Sequence, residues 1–503
     1  MRTDEAYDEL IRRVREETLL TTIDALLEWD EETYLPAGGV ENRSEQMALL
    51  AGLLHDRATD PRLGELLATL EASDLLADPA AHAAVNVRAI RREYDRYVRL
   101  PRRLVEEVAR TTALAQKTWA AARAGADYAR FRPWLERIVQ LKRAEAECVG
   151  YSDEPYDALL EDHEPGLTAA VVAPLFEALR RELVPLAAAI AAARRQPDCS
   201  FLSRHFPRDR QRRFGETVAA TVGFDFRRGR MDLGIHPSCS SIGQGDCRIS
   251  LRFDERDFAG GLFTILHEVG HGLYEQGLDP THYGTPMGEV ASVGLDEAQA
   301  RLWENRVGRS RSFWEHFFPR ARELFPESLG DVALEDFYIA VNRVAPSLIR
   351  VNADEVTYNL HALLRFELER ALVSGTLRAQ DLPAAWNAAY QHYLGVTPRN
   401  DAEGCLQDGH WADGLLGYFP TYTLGDVFSA QLFAQAESEL GGLDEQFAHG
   451  EFGELVRWLG ARVYRQGGRY PSTRLIERVT GSPPDHRPLV AALQQKYSTL
   501  YRL

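Results

Sequence analysis

The stretch Asp257–Gly277, DFAGGLFTILHEVGHGLYEQG, predicts a buried helix around which the rest of the chain is organised. Asp257 is a typical N-cap residue, and Gly277 followed by Pro280 predicts the helix end. Apolar residues recur at helical spacing on most of its surface, so we expect burial on most sides. Polar side chains at the middle of such a helix indicate a binding partner or a function, because uncompensated burial of polar side chains is costly.

The polar centre of this helix is the H-E-x-x-H motif, His267-Glu268-Val269-Gly270-His271. Two histidines four residues apart lie about one turn apart on the same face. Both imidazoles can therefore bind one metal ion, with Glu268 beside the open coordination position. The motif is the known signature of zinc-dependent peptidases. We predict that Glu268 is the general base that takes a proton from the metal-activated water and passes it to the leaving amine.

A catalytic zinc site takes a third protein ligand, which here must come from outside the motif. The downstream candidates are Glu275, Glu289, Glu297 and Glu304. Glu275 follows His271 by one turn, so we expect it to face along the site rather than across it. The other three can fold back from a second segment, and the small residues Ala298 and Ala300 leave room beside Glu297. The spacing favours Glu297 slightly and leaves the alternatives open.

The composition of the 503-residue chain is that of an acidic globular protein, with 45% hydrophobic and 26% charged residues. The net charge of -17 opposes non-specific nucleic-acid binding, which needs clustered Lys and Arg. The N-terminus is charged and lacks an apolar signal region, and the longest apolar patch, near Pro185–Ala193, is too short to span a bilayer. We expect a cytoplasmic protein without nucleic-acid or membrane partners.

The cysteine pattern supports the same compartment. The number is odd and no C-x-x-C occurs, which predicts free thiols in a reducing cytoplasm. Cys239 and Cys247 could form a metal-binding pair, although two unrelated thiols is the favoured interpretation. The five cysteines are Cys148, Cys199, Cys239, Cys247 and Cys405.

Helical patterns dominate the chain and predict a mainly α fold. Predicted helices before the motif cover 4–30, 44–55, 61–76, 81–100, 102–126 and 173–195. Those after it cover 295–307, 331–344, 354–374, 383–394, 424–441 and 451–464. Because no repeat or flexible linker is visible, we predict one domain over 1–503, with a helical region at 1–200 and the metal site in 201–503.

The helical pattern breaks between residues 228 and 253. Apolar residues alternate with polar ones around Met231 and again around Ile249, which predicts two short half-buried strands. The turn-rich segment 238–246, SCSSIGQGD, is predicted as the loop between them. An edge strand here can pair with an extended peptide, and a purely structural hairpin is an equal alternative.

Two arginines bear on the substrate class. Arg350 lies in SLIRVNAD between two predicted helices, and Arg248 lies on the second predicted strand. An enzyme that removes C-terminal residues needs a fixed cation for the free carboxylate, and the arginine fork suits it. Taken alone, each arginine is more often part of a structural ion pair.

The segment Gly404–Gly414, GCLQDGHWADG, is polar, aromatic and turn-rich and runs into LLGYFPTY. Its side chains could donate hydrogen bonds to a tetrahedral intermediate, and the alternative is a loop packed on the core through Trp411 and Phe419. The candidate donors are His410, Tyr418 and Tyr422.

The order of these motifs resembles the carboxypeptidase Taq family of thermostable metallocarboxypeptidases. The matching segments, in family order, are EWDEETYLPAGG, YDALLEDHEPG, HEVGHGLYEQG, DEAQARLWEN, SLIRVNADEVTYNLH, GVTPRNDAEGCLQDGHW and GYFPTYTLG. The resemblance implies a saddle-like helical fold with a deep groove, usually as a homodimer. It also implies removal of C-terminal residues from peptides with broad specificity, with zinc or cobalt as the metal.

The resemblance also assigns roles to individual residues. It implies His267, His271 and Glu297 as metal ligands and Glu268 as the catalytic carboxylate. The family's I-R-x-x-A-D motif falls on Arg350. Its D-x-R-x-T motif places Arg248 at the closed end of the groove, and its H-P-F motif falls on His236 as a further substrate-binding residue. Its G-x-x-Q-D-x-H-W motif supports a role for His410, and Tyr422 is implied as a stabiliser of the intermediate.

Three positions depart from the family pattern. Asp296 replaces a histidine beside the implied ligand, which could alter metal affinity or the pKa of the activated water. Ser238 and Ser250 replace the usual Phe and Thr, which could reshape the closed end of the groove.

Two other classes of function remain as alternatives. One is a metallo-endopeptidase or aminopeptidase that uses the same ligands, and blocking either end of a model peptide separates it from a carboxypeptidase. The other is a helical binding protein with an inactive site, which would bind no metal and cleave no peptide.

Overall fold

The computed structural model describes residues 2–503, and most of them lie in helices, which confirms the predicted mainly α fold with a small sheet. The helices before the sheet are α1 Thr3–Thr33, α2 Val40–Ala58, α3 Pro61–Glu71, α4 His82–Arg99, α5 Arg102–Gly125, α6 Tyr128–Val149, α7 Pro155–Glu161, α8 Ala169–Ala192 and α9 Arg208–Val222. Those after it are α10 Phe258–Gly277, α11 Val293–Arg301, α12 Arg311–Leu324, α13 Pro326–Leu329, α14 Leu334–Val341, α15 Tyr358–Ser374, α16 Leu382–Leu394, α17 Phe419–Leu440, α18 Leu443–Ala448, α19 Gly453–Arg462, α20 Ser472–Thr480 and α21 Arg487–Tyr501.

Several of these helices were not predicted. The helix α6 contains Pro133, and α7, α20 and α21 each have a proline at or next to their first residue, so the local sequence indicates a break where each helix begins. The helix α9 ends at Gly223, which adopts the left-handed conformation of a C-cap.

The sheet has three strands, β1 Gly229–Leu233, β2 Ser238–Gly243 and β3 Asp246–Leu251, in the order β1-β3-β2. The strand β3 pairs in parallel with β1 and antiparallel with β2. The prediction of a loop at 238–246 was therefore wrong for its first six residues, since β2 occupies them. Its serines and glycine are typical of a turn. Pairing with β3 nevertheless satisfies its backbone groups, and residue propensities alone do not predict such pairing.

The metal-motif helix α10 has the boundaries that its sequence predicts. The Asp257 side chain accepts a hydrogen bond from the backbone N–H of Gly260 at 2.9 Å, and the helix ends at Gly277. Gly270 lets α11 approach closely, because a Cβ there would lie 2.5 Å from the Cα of Ala300. A larger residue at 270 would push α11 and its glutamate away from the histidines.

The helix α11 is held at its N-terminus by buried side chains. Ser292 caps the N–H of Leu295 at 3.1 Å, and the fully buried carboxylate of Glu164 accepts from the N–H of Gly294 and from Ser472. The helix then widens into a π-helical turn over Leu302–Val307, a feature often found at functional sites.

Two hydrophobic clusters fill the molecule. The large cluster collects buried residues from Ala115 to Tyr501 and includes the apolar side chains of α10. The small cluster joins α1, α3 and α4 through eight buried side chains, among them Leu10 and Leu66. Within residues 2–503, none of the helices is both long enough and apolar enough to cross a membrane. The division at residue 200 and the single-domain interpretation stay predictions.

Candidate metal centre and its facing wall

The helices α10 and α11 bring His267, His271 and Glu297 together. One ligand atom from each lies within 4.8 Å of the others, and this is the only such group of three metal-binding side chains among residues 2–503. The Nε2 atom of His267 is 3.7 Å from a carboxylate oxygen of Glu297. This spacing is compatible with a shared ion at about 2.1 Å from each atom.

The other nitrogen of each imidazole is occupied by a carboxylate. Nδ1 of His267 lies 3.1 Å from Glu304, and Nδ1 of His271 lies 2.9 Å from Asp296. A carboxylate on Nδ1 fixes the ring orientation and leaves Nε2 for the metal. Glu304, one of the third-ligand candidates, is thus a hydrogen-bond partner of His267 in the structure.

The charge balance of this centre also fits a divalent cation. Only two arginines neutralise its four carboxylates: Arg301 bonds to Glu297 at 2.6 Å, and Arg309 approaches Glu304 at 3.5 Å. With neutral imidazoles the group therefore carries two excess negative charges, which one divalent ion would cancel. The four carboxylates belong to Glu268, Asp296, Glu297 and Glu304.

Burial and neighbouring charges shift the pKa values at the centre. Burial raises the pKa of Glu268 above its usual value, although the two histidines oppose the shift. Burial lowers the pKa of His271, but the Asp296 carboxylate outweighs it and raises that pKa to about 10. Burial likewise raises the pKa of Glu304, but Arg301 and His267 lower it to about 2. In the metal-free protein the His271 imidazole is therefore protonated near pH 7.

The remaining ligand candidates lie beside the centre rather than in it. Glu275 and Glu289 line a neighbouring cavity of about 350 Å³ together with residues of β2. Burial raises the pKa of each carboxyl to about 7. Neither belongs to the ligand cluster.

Arg350 is buried and held by a fixed set of partners. Its guanidinium pairs with Asp408 at 3.0 Å and donates to the Tyr358 hydroxyl at 2.9 Å. Arg365 shares the same carboxylate at 2.6 Å, so two guanidinium groups face one aspartate. Burial lowers the pKa of Arg350, but Asp408 outweighs it and keeps that pKa above its usual value. The group retains one net positive charge.

Aromatic side chains connect this cationic group to the metal centre. The Arg301 guanidinium lies 3.8 Å from the ring centroid of Tyr358, and that of Arg350 lies 4.7 Å from the ring of Tyr422. Nε2 of His410 is 3.0 Å from the Tyr422 hydroxyl. Burial lowers the pKa of His410 to about 4, so its imidazole is neutral near pH 7. The predicted residues Arg350, His410 and Tyr422 therefore form one wall.

Arg248 and His236 lie elsewhere. Arg248 pairs with Asp246 at 2.8 Å and stacks on Trp29 of α1 at 4.3 Å from the ring centroid. His236 is exposed just beyond β1. Within residues 2–503, neither forms a hydrogen bond or ion pair with a ligand residue.

Sequence reasoning missed the most deeply paired residue of the wall, Asp408. It lies two positions before His410 in the same loop, and the available signal was a carboxylate in a turn-rich polar segment. The sequence pointed to Glu304 as a candidate ligand and to Asp296 as a neighbour of the implied ligand, but their contacts with the Nδ1 atoms of the histidines depend on how α11 packs against α10.

The comparisons with known proteins cover almost the whole chain. The family model of carboxypeptidase Taq (M32) metallopeptidases matches residues 9–497. Thermostable carboxypeptidase 1 of Thermus thermophilus is 48% identical over the full length of both chains. The crystal structure of an M32 carboxypeptidase from Deinococcus radiodurans R1 superimposes with a TM-score of 0.96 at 43% identity, covering 99% of this chain and 100% of that one. The structure of Pyrococcus furiosus carboxypeptidase (apo-Mg) has a TM-score of 0.93 at 34% identity, with 98% and 99% coverage. With matches of this length and identity, the chain belongs to the carboxypeptidase Taq (M32) family and is a metallocarboxypeptidase.

Proposed function

We propose that His267, His271 and Glu297 hold the divalent ion of this carboxypeptidase, and that the ion is zinc, with cobalt as a substitute. Two imidazoles and one carboxylate are a donor set of catalytic zinc sites. The excess of two negative charges around these donors supports a divalent ion. When bound, the ion supplies a Lewis acid that polarises the scissile carbonyl and activates water near neutral pH.

We further propose that Glu268 moves the proton during peptide hydrolysis. It lies between the two histidines on α10 and is 7% exposed. Burial raises its pKa above its usual value, which suits a group that must both accept and donate a proton. It takes a proton from the attacking water and delivers it to the leaving amine.

We propose that the wall facing the metal centre binds the substrate's C-terminal carboxylate and the developing oxyanion. The observation that carries this is the net positive charge left by Arg350 and Arg365 around the single carboxylate of Asp408. A buried guanidinium next to aromatic faces is well suited to a carboxylate. Tyr422 and His410 supply hydroxyl and imidazole donors for the tetrahedral intermediate.

Arg248 and His236 are proposed to act further out, where the groove closes. Arg248 lies on β3 next to the edge strand β2, and its stacking on Trp29 holds it between the sheet and α1. Contacts there would select peptides by their length rather than by their C-terminal side chain, in agreement with the broad side-chain specificity that the family implies. The edge of β2 offers unpaired backbone groups to an extended peptide.

The test uses one peptide in three forms: free acid, C-terminal amide and N-acetylated acid. Zinc-loaded protein is expected to remove single residues stepwise from both acids and to leave the amide intact, with a chelator abolishing cleavage. Loss of activity on the acetylated form would favour an aminopeptidase. Internal cleavage, or equal cleavage of acid and amide, would contradict the carboxylate-binding role of the wall.

We also propose a homodimer in the cytoplasm. Apolar side chains remain exposed on α1 and α2, including Leu19 at 56% and Leu49 at 67% exposure, and a second copy would cover such a face. All five cysteines are free, as expected in a reducing compartment. Sedimentation equilibrium should give twice the 56.6 kDa chain mass, and replacing Leu49 by Glu should yield monomers. A monomer at all concentrations would contradict the dimer.

A further inference from the structure

Two cysteines that the peptidase chemistry does not use are in contact beside the metal helix. The Sγ atoms of Cys239 on β2 and Cys247 on β3 lie 3.4 Å apart. The strands are antiparallel, with Cys239 opposite Ile249 and Ser241 opposite Cys247, so the two thiols meet diagonally on one face. The interpretation of two unrelated thiols does not fit this contact.

The shared face of the two thiols is the one that packs on α10. Gly272 of that helix lies beside Cys247, because a Cβ there would be in van der Waals contact with the Cys247 sulfur at 3.4 Å. The negative charges of Glu268 and Glu275 on that helix also contribute to raising the pKa of Cys239. The thiol pair therefore sits between the sheet and the helix that carries the catalytic motif.

A metal-binding role for the pair is not supported. Within residues 2–503, no third ligand atom joins the two sulfurs, and the only group of three potential ligands is the histidine-glutamate cluster. Two close thiols without a third ligand have the chemistry of a dithiol, which is oxidation to a disulfide.

The two thiols differ in access. Cys239 is partly exposed, whereas Cys247 is 3% exposed. A small reagent therefore reaches Cys239 first, and Cys247 is placed to act second. The hydrogen bond with Cys247, together with burial, raises the pKa of the Cys239 thiol, so the first reaction is slow compared with that of a free thiol.

We propose that Cys239 and Cys247 form a reversible redox site, a dithiol that low-molecular-weight disulfides oxidise to an intramolecular bridge between β2 and β3. In the first step the Cys239 sulfur loses its proton to water and attacks one sulfur of the small disulfide, which releases one thiol. In the second step the Cys247 sulfur attacks Cys239 and releases the other thiol. The protein loses two electrons and two protons, and the small disulfide is reduced to two thiols.

The bridge would move the edge strand next to the metal centre. Bond formation brings the sulfurs from 3.4 Å to about 2.05 Å, which draws Cys239 of β2 towards Cys247 of β3. The register irregularity at Ser241/Gly243 offers a place for the shift. Thiol–disulfide exchange with an excess of small thiol reverses the bridge. Because β2 flanks Glu268, we expect oxidation to lower peptidase activity about tenfold.

The test follows one tryptic peptide. Residues 231–248 contain both thiols and no internal Lys or Arg before Arg248, so trypsin releases them together. Zinc-loaded protein is incubated for hours with glutathione disulfide, unfolded with N-ethylmaleimide and digested. We expect a peptide without maleimide and about 2 Da lighter than its dithiol form, and dithiothreitol treatment should restore two maleimide labels. Two labels after oxidation would overturn the proposal.

Matched variants identify the order of attack. In Cys247→Ser, the Cys239 sulfur should retain one glutathione, because the second thiol is missing. In Cys239→Ser, the Cys247 thiol should remain free. Glutathione on Cys247 in that variant, or on both cysteines of the wild-type protein, would contradict a bridge built by the sequence Cys239 then Cys247.

The activity measurement rests on the proposed peptidase function, whereas the mass measurement does not. We expect the oxidised wild-type enzyme to lose about tenfold in kcat/KM and to recover with dithiothreitol, while the same oxidant leaves Cys239→Ser as it was. A bridge that forms without any change in kcat/KM would overturn the proposed effect on the metal centre. An enzyme inactive before oxidation would instead count against the peptidase assignment.

Discussion

The metal centre and the wall that faces it bury charge in opposite ways. At the centre, carboxylates lie against the outer nitrogens of His267 and His271, and with neutral imidazoles the group has two excess negative charges. At the wall, Arg350 and Arg365 share the single carboxylate of Asp408, and one positive charge is left over. Both imbalances are buried, where unpaired charge is expensive. The opposite signs of the two charge excesses support the proposal that the centre binds a cation and the wall binds an anion.

The largest expected effect separates catalysis from metal binding within the centre. Glu268→Gln removes the proton acceptor but leaves all three proposed ligands, so kcat should fall about 1,000-fold while metal content stays the same. Glu275→Gln is the matched control, because Glu275 lies on the same helix outside the ligand cluster. Steady-state kinetics and elemental analysis check this. Equal activity of the two variants would remove Glu268 from the mechanism.

The pH dependence of metal affinity tests the negative side of the comparison. Asp296 raises the pKa of His271 to about 10 in the metal-free protein, so at lower pH the incoming ion must displace a proton. The apparent affinity should therefore weaken about tenfold per pH unit, or about 100-fold between pH 8 and pH 6. Competition with a zinc chelator at each pH measures it. A flat profile would mean that His271 is not a ligand.

The positive side of the comparison is tested by Arg350→Gln. Loss of a charge-assisted hydrogen bond to the substrate carboxylate, worth about 2 kcal/mol, should lower kcat/KM on peptide acids about 30-fold. Asp408 keeps its partner Arg365, so the fold should survive. Arg248→Gln is the control and should have a smaller effect on short peptides. A larger loss in the Arg248 variant would move the carboxylate site to β3.

The smallest expected effect is on zinc affinity and concerns the carboxylates that contact the Nδ1 atoms of the proposed histidine ligands. Asp296→Asn keeps an acceptor for the Nδ1–H of His271 but removes the charge, so zinc affinity should fall about tenfold. Asp209→Asn, an exposed aspartate on α9, serves as the control. Calorimetric titration of metal-free protein compares the two. Unchanged affinity in Asp296→Asn would show that the geometry of this carboxylate, not its charge, is what matters.

The sequence predicted those parts of the molecule whose signals are local. Asp257, the apolar spacing and Gly277 define α10, and the histidine spacing follows from the helix itself. The strand β2 was missed because a serine-rich segment becomes a strand only through its partner β3. The candidates Glu297 and Glu304 could not be separated by spacing, since both lie against His267 and the packing of α11 on α10 determines which imidazole nitrogen each one approaches. The pairing of Arg350 with Asp408 joins two residues 58 positions apart in the chain, which no local pattern reports.

The most direct test of the two opposite charge excesses is one crystal structure with zinc and a product peptide, using anomalous scattering at the zinc edge. We predict one peak about 2.1 Å from Nε2 of His267, Nε2 of His271 and a carboxylate oxygen of Glu297, with the peptide carboxylate against Arg350. A peak coordinated by Glu304 or Glu275, or a carboxylate bound at Arg248 instead, would contradict the account.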